Sequence, residues 1–256
     1  MISIVIPTFN EENYIGFLLE SIFHQTLCGD VEIIIADAGS TDRTRSVIQR
    51  YKSQHPRLFV VKGGMPAVGR NNGAKASSGD PIFFIDADML IPDKEFLKNA
   101  VAHFQKEHLG VATVCLEPNS DFWVDRFMTG CYNFFLPISK FFRPMGSMCI
   151  VVSRAVFDKT GGYPEDVVMA EDHDFVYRSS QCGKFGILPG RLVFSIRRLR
   201  KEGRIRLLFK YTVFTLQLLL IGPVRKPLLK YEFGNYNDKD DEEKLQNHIT
   251  RLNKKS

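Results

Sequence analysis

Apolar positions fall into two alternating rhythms over the first 110 residues. "ISIVIP" at 2–7, "VEIIIAD" at 31–37, "RLFVVKG" at 57–63 and "PIFFIDAD" at 81–88 are short runs rich in β-branched and aromatic residues. Such runs predict buried strands. Between them the spacing shifts to the helical period. Ile15, Leu18, Leu19, Ile22 and Phe23 predict one helix, with Asn10 or Asn13 to cap it. Val47, Ile48 and Tyr51 share a face of a second, and Phe96, Leu97, Ala100, Val101 and Phe104 mark a third. "VGRNNGAKASSGD" predicts a glycine-rich loop around a short helix. Strands alternating with helices predict an α/β fold with a mostly parallel, Rossmann-like sheet. Ligands of such sheets bind beyond the carboxyl ends of the strands, where Asp37 and Asp86 fall.

After Gly110 the pattern changes. "GVATVC" and "GSMCIVVSR" predict strands, separated by an aromatic-rich stretch from Phe122 to Phe142. "AEDHDFVYRSSQCG" predicts a helix with an acidic start, ended at Gly183. No linker divides this part from the first. The expected organisation is one body over 1–195, with halves 1–110 and 111–195, and a C-terminal extension over 196–256. In the extension a dense basic segment precedes an apolar run from Tyr211 to Val224. That run is shorter than the ~20 residues of a spanning helix. It predicts a helix lying in a membrane interface, or else one buried in the core or in an oligomer contact. The closing stretch "NDKDDEEKLQNHITRLNKKS" predicts a solvated helix or a mobile tail.

Composition changes this picture only locally. The 256 residues are 44% hydrophobic and 25% charged, an ordinary globular balance. The net charge of +5 is modest, but its basic part concentrates between Arg191 and Lys210. No nucleic-acid module accompanies it, so nucleic acid is not the expected partner. The five cysteines show no C-x-x-C spacing, which predicts reduced thiols and a cytoplasmic setting. "MISIVIP" is too short for a secretory signal.

The chemistry concentrates in four places. "FFIDADMLIPD" drives a buried strand into two carboxylates, Asp86 and Asp88, which a cation would relieve. Hard oxygen ligands of this kind suit Mg²⁺ or Mn²⁺. "IPTFNEEN" offers Asn10, Glu11 and Glu12 at the mouth of the first strand, or simply a capped turn. In "ADAGSTDRT", Asp37 suits a base or a ribose, while Ser40 to Asp42 suit a helix start. In "GRNNGAKASSGD", Arg70 suits a phosphate, although neither a Walker loop nor a dinucleotide fingerprint is present.

In this order, and with "GGYPEDVVMAEDHDFVYR" further along, these stretches resemble family 2 of the glycosyltransferases, enzymes of the GT-A fold. The resemblance covers roughly residues 1–190. It implies an inverting transfer from a nucleoside-diphosphate sugar, UDP ahead of GDP, to a hydroxyl or phosphate of a glycan or lipid-linked acceptor. It places Pro7, Thr8, Asn10, Glu12, Asp37, Arg70, Asp86, Ala87 and Asp88 at the nucleotide sugar. The "DAD" stretch stands as its D-x-D motif, with Asp88 and then Asp86 as ligands of a divalent metal. Asp172 matches the catalytic base. One departure is Ala38, where the family often has a second aspartate.

On the acceptor side, Glu171 and His173 flank the base, though each also suits a plain helix position. Trp123 suits stacking on a sugar, core packing or lipid contact. Arg178 suits a phosphate or a carboxylate on its own helix. The basic segment beside the apolar run, 197–224, predicts peripheral contact with the cytoplasmic face of a membrane and a polyprenyl-linked acceptor. The alternatives are a nucleotidyltransferase, a non-catalytic nucleotide-sugar-binding scaffold, and a soluble transferase whose C-terminal helix makes a dimer.

Overall fold

The computed structural model describes residues 1–27, 30–167, 170–207, 209, 210, 213, 222 and 238–254. Cys28 and the apolar run 211–224, apart from Val213 and Gly222, lie outside the described residues.

Strands β1 (Ile2–Thr8), β2 (Val31–Asp37), β3 (Leu58–Lys62) and β4 (Ile82–Ile85) lie in the order β3-β2-β1-β4, all parallel. The runs of β1, β2 and β4 are buried on both faces, as a parallel sheet between helices requires, while the edge strand β3 leaves Phe59 and Val60 exposed. Ile4, Ile6, Ile33 and Ile35 face one core, shared with α1 (Ile15–Phe23), α2 (Thr44–Lys52) and α4 (Phe96–Lys106). Val5, Ile34 and Phe84 face the other, shared with α3 (Pro66–Ala76), α6 (Arg154–Thr160) and α7 (Glu171–Ser180). The predicted glycine-rich loop is mostly helix: α3 runs 11 residues. Its glycines are contact points, since a β-carbon at Gly73 would overlap Val5 Cγ1 of β1.

The second half extends the same sheet with β5 (Met89–Leu90), β6 (Val111–Pro118), β7 (Cys149–Val152) and β8 (Phe185–Phe194), in the order β4-β7-β6-β8-β5. Here the mostly parallel expectation gives way to a mixed sheet. β4–β7, β6–β7 and β5–β8 are antiparallel, and only β6–β8 is parallel. β6 and β7 are joined at one end by α5 (Trp123–Ser139), so they run in opposite directions. The sequence reading missed β8 because Pro189–Gly190 is a turn signal. Here the pair sits in a bulge, where Leu188 pairs with Val114 and Arg191 with Cys115. Gly190 supplies the left-handed φ of +94°.

Past β8 come α8 (Arg197–Glu202) and α9 (Lys239–Asn253). α9 is not the solvated or mobile end that its polar composition predicts. Leu245, Ile249 and Leu252 are buried against Tyr14, Leu90 and Val193. Asp241 is buried too, bonded by Ser195 Oγ, the Ile196 amide and Asn119. Among the described residues no helix is long and apolar enough to cross a membrane.

The tight approach of α3 to β1 is testable. Gly73→Ala is expected to cost roughly 1–3 kcal/mol by overpacking. Gly130→Ala in α5, where a β-carbon meets nothing within 4 Å, is expected to hold or gain up to about 1 kcal/mol. Denaturant midpoints of the two variants check the difference.

Candidate active site

The parallel strands put their carboxyl ends on one edge. Thr8 pairs with Asp37, and Asp37 with Lys62. β4 stops at Ile85, and the next residues turn, with the Met89 amide bonded to Asp86 O at 3.2 Å. The second half grips this turn from both sides. The Asp86 amide donates to Met148 O and the Ser195 amide to Asp88 O, each at 3.2 Å. An extended chain would have aimed both carboxylates the same way. The turn sends them to different partners.

Asp86 Oδ1 accepts from Arg70 Nη2 at 2.8 Å, and Arg70 Nη1 donates to Glu171 Oε1 at 2.7 Å. Arg70 is buried, with its guanidinium over the Tyr163 ring. It ties the D-A-D turn to the first residue of α7. The next residue, Asp172, keeps 27% of its side chain exposed while Oδ1 accepts the His173 amide at 2.8 Å. Ala170, just before, holds a left-handed φ of +59°, a costly conformation for a residue with a β-carbon.

Asp88 takes the other arginine. Arg197 Nη2 donates to Asp88 Oδ2 at 3.2 Å and to Glu11 Oε1 at 2.6 Å. Its guanidinium lies 4.2 Å from the centre of the Tyr14 ring. Glu11 Oε2 is buried with no hydrogen-bond partner.

Five carboxylates thus meet two guanidiniums. Burial, opposed by Arg70 and reinforced by Asp88 and Asp172, pushes Asp86 up to about 6. Burial, opposed by Arg197 and reinforced by Asp88, pushes Glu11 up to about 7. Burial also raises Glu171, against the pull of Arg70. The surplus of hard, negative oxygens fits a divalent cation. Among the described residues no group of three or more His, Cys, Asp or Glu is arranged to hold one. Asp88 and Asp86 would be part of its shell, with substrate or water oxygens completing it.

The other predicted residues are placed differently. Asp37 is buried and accepts from Ser40 Oγ at 2.6 Å and Arg45 Nε at 2.6 Å. Despite its burial, these bonds hold its carboxyl below the usual range. It borders an open pocket of about 520 Å³ with Arg45, Gln49, Lys52 and Lys62, which none of Asp86, Asp88 or Asp172 lines. Asn10 and Glu12 brace the loop before α2: Asn10 Oδ1 accepts the Thr41 amide, and Glu12 Oε2 accepts from Arg43. Thr8 and Ala87 are buried, and Pro7 lies beside them at the end of β1.

His173 is half-buried rather than an exposed helix histidine, and its Nδ1 accepts the Gly146 amide at 3.1 Å. Arg178 takes the on-helix option. It bonds Asp174 Oδ2 and the carbonyls of Thr160 and Gly162, away from any phosphate role. Trp123 stands 69% exposed at the start of α5. Sequence reasoning passed over Arg197, lost among the basic residues around it. It saw Glu11 but gave it no role.

With this geometry in view, the comparisons with known proteins decide the family. The family model described as Glycosyl transferase family 2 matches residues 3–160. The chain belongs to that family. This family 2 chain is 26% identical over 195 residues to the poly(ribitol-phosphate) beta-N-acetylglucosaminyltransferase TarS of Staphylococcus aureus, covering 69% of this chain and 32% of that protein. It is 36% identical over 110 residues to a dolichyl N-acetyl-alpha-D-glucosaminyl phosphate 3-beta-D-2,3-diacetamido-2,3-dideoxy-beta-D-glucuronosyltransferase of Methanococcus voltae, 41% of this chain and 34% of that protein. The chain spans 16% to 34% of the length of the curated relatives matched first.

Its fold matches the mannosyltransferase PcManGT from Pyrobaculum calidifontis, solved with GDP-Man and Mn²⁺. The TM-score is 0.64 at 24% identity, over 83% of this chain and 64% of that one. It also matches TarS 1-349 from S. aureus with UDP-GlcNAc, with a TM-score of 0.63 at 24% identity over 76% and 58%. The GT-A expectation is met by a mixed sheet flanked by helices.

The displaced titration of Glu11 predicts a pH effect. Its carboxyl is raised from 4.5 to about 7, so the folded state holds this proton more tightly than the unfolded one. That contribution is fully present below pH 4.5 and is lost as pH rises through about 7. Glu11→Gln cannot titrate. Relative to the variant, wild type should lose stability between those limits and run parallel to it above them. Denaturant midpoints across the range check this, and a constant difference would refute the raised carboxyl.

Proposed function

We propose that this chain is an inverting glycosyltransferase that moves a sugar from a nucleoside-diphosphate sugar to a hydroxyl or phosphate of a glycan or lipid-linked acceptor. The observation that carries the reading is the Glu171–Arg70–Asp86 bridge. It sets Asp172, from the second half, beside the D-A-D turn of the first. The acceptor oxygen attacks the anomeric carbon as the bond to the diphosphate breaks. Its proton passes to Asp172, and the bonding pair leaves with the nucleoside diphosphate. The first turn of α7 carries Glu171, Asp172 and Asp174, with Asp172 the residue left partly exposed toward the cleft. Arg70 and Arg197 place positive charge at the turn where the departing diphosphate gains negative charge. A divalent cation, Mn²⁺ or Mg²⁺, held by Asp88 with Asp86, would add to that charge.

Asp37 and the pocket beside it are assigned to the base and ribose, with Pro7, Thr8, Asn10 and Glu12 shaping the neighbouring wall. UDP is put ahead of GDP; the two fold neighbours carry one of each. Acceptors presented at a membrane suit the relatives, which are named for poly(ribitol-phosphate) and a dolichyl phosphate sugar. Residues 1–195 form the catalytic unit of this reading, at the cytoplasmic face of the membrane. The contact assigned to 197–224 rests partly outside the described residues.

A release assay over a panel of nucleotide sugars, with Mn²⁺, Mg²⁺ or EDTA, tests this. Wild type should slowly hydrolyse one donor to the nucleoside diphosphate and stop in EDTA. Asp172→Asn should lose roughly 10²-fold or more in rate while still binding the donor. Release of inorganic diphosphate would make it a nucleotidyltransferase. Binding without turnover in wild type, with every acceptor tried, would leave the scaffold reading.

A further inference from the structure

Among the described residues thirteen large hydrophobic side chains are exposed, and nine of them lie within 122–142 or at Ile205 and Phe209. α5 has two unlike faces. Asp125, Thr129, Leu136 and Ser139 are buried. Trp123, Phe127, Phe134 and Phe135 stand 57–69% exposed, and the turn that follows adds Phe141 and Phe142 at 73% and 81%. Residues 123, 127 and 134 share one helical face. Exposed apolar residues scattered singly are ordinary, but a helix-long aromatic face marks a contact surface.

The helix that presents this face is firmly seated. Asn133 bonds both the amide and the carbonyl of Leu116 on β6. Asp125 accepts from Arg204 at 2.6 and 3.0 Å. The Arg204 guanidinium lies 4.7 Å from the centre of the Phe122 ring. Ile205 and Arg206, next along the chain, are exposed. Of the basic residues in 121–143 and 197–210, Arg126, Lys140, Lys201 and Arg206 are exposed, while Arg197 and Lys210 are buried. Lys140 sits over the Phe141 ring, and Arg126 lies on the exposed side of α5.

We propose that the aromatic face of α5, with the Phe141–Phe142 turn and the exposed Ile205 and Phe209, docks on an anionic lipid bilayer. Aromatic bodies framed by basic groups are what a negatively charged headgroup layer complements. A second copy of this chain fits less well, because a two-fold contact sets each basic frame against its like. The surface also backs the acceptor wall of the site. The Tyr132 hydroxyl of α5 donates to Gly146 O, and the Gly146 amide donates to His173 Nδ1, one residue from Asp172. Docking through α5 therefore holds the base side of the cleft close to the headgroups. The inference leans on the transferase reading for its purpose alone, since the surface stands on its own observations.

Flotation of the full chain with phosphatidylglycerol-rich vesicles, and with phosphatidylcholine alone, tests it. Wild type should float with the first and not the second. The triple variant Phe134→Gln, Phe141→Gln, Phe142→Gln should lose at least about tenfold in partitioning, with donor hydrolysis in vesicle-free buffer unchanged. Undiminished binding by the variant would overturn the proposal. So would a wild type that binds neither vesicle but sediments as an oligomer that the variant breaks. Vesicle binding without turnover of any donor, with every acceptor tried, would sink the transferase reading and leave the surface standing.

Discussion

Two buried arginines let a carboxylate-rich cleft stand at the end of a hydrophobic sheet. Arg70 joins Asp86 to Glu171, and Arg197 joins Asp88 to Glu11. Each bridge links elements far apart in the chain, so at the cleft the halves of the continuous sheet are tied together through these two groups. Breaking a buried pair by removing one partner costs about 3–5 kcal/mol, because the other charge stays behind uncompensated. Neither arginine is dispensable to the shape of the cleft. Yet two cations do not neutralise five acids. Burial, with the neighbouring acids adding to it, keeps Asp86 and Glu11 raised, and Glu11 Oε2 is buried without a hydrogen bond. A diphosphate arriving alone would meet like charge, whereas one arriving with a divalent cation meets complementary charge.

The mixed half of the sheet is what makes the bridges reachable. The parallel half delivers Thr8, Asp37 and Asp86 to one edge and Arg70 from α3, while the cation at Asp88 and the second partner of Arg70 come from the other half. Antiparallel β7 starts at that edge, and its backbone grips Asp86 through Met148. β8 ends there, which lets Arg197 enter two residues past Ser195. α9 then locks that entry, because buried Asp241 holds Ser195 and the Ile196 amide. α9 thus stabilises the position of Arg197 from behind, through Ser195, Ile196 and the Tyr14 ring it packs on.

The parallel half and the covering helices were legible because their period is unambiguous: short β-branched and aromatic runs, then apolar residues at helical spacing. Asp86, Asp88, Arg70 and Asp172 were legible because each sits at a strand end or helix start within a motif. The failures share a cause, in that local signals were outweighed by tertiary ones. Pro189–Gly190 signals a turn yet serves as a bulge inside β8. α9 carries an apolar stripe at Leu245, Ile249 and Leu252, thin enough to vanish in a polar stretch. Arg197 looked like its neighbours, and only the fold distinguishes a buried guanidinium from a solvated one.

The basic segment carries a smaller outward charge in the fold than its composition suggests. Counted as charge, 197–210 looks like the membrane contact. In the fold, Arg198 pairs with Glu202, Arg200 with Asp238, Arg204 with Asp125 and Lys210 with Glu202. Ion pairs of this kind fix α8 to the body and leave a smaller field outside than the sequence implies. The apolar half of an interfacial surface has no such internal outlet. A single exposed phenylalanine is ordinary, but α5 leaves Trp123, Phe127, Phe134 and Phe135 uncovered together. The physical demand for a partner therefore falls on α5, next to the wall that carries His173 and Asp172, and the basic segment serves as its frame.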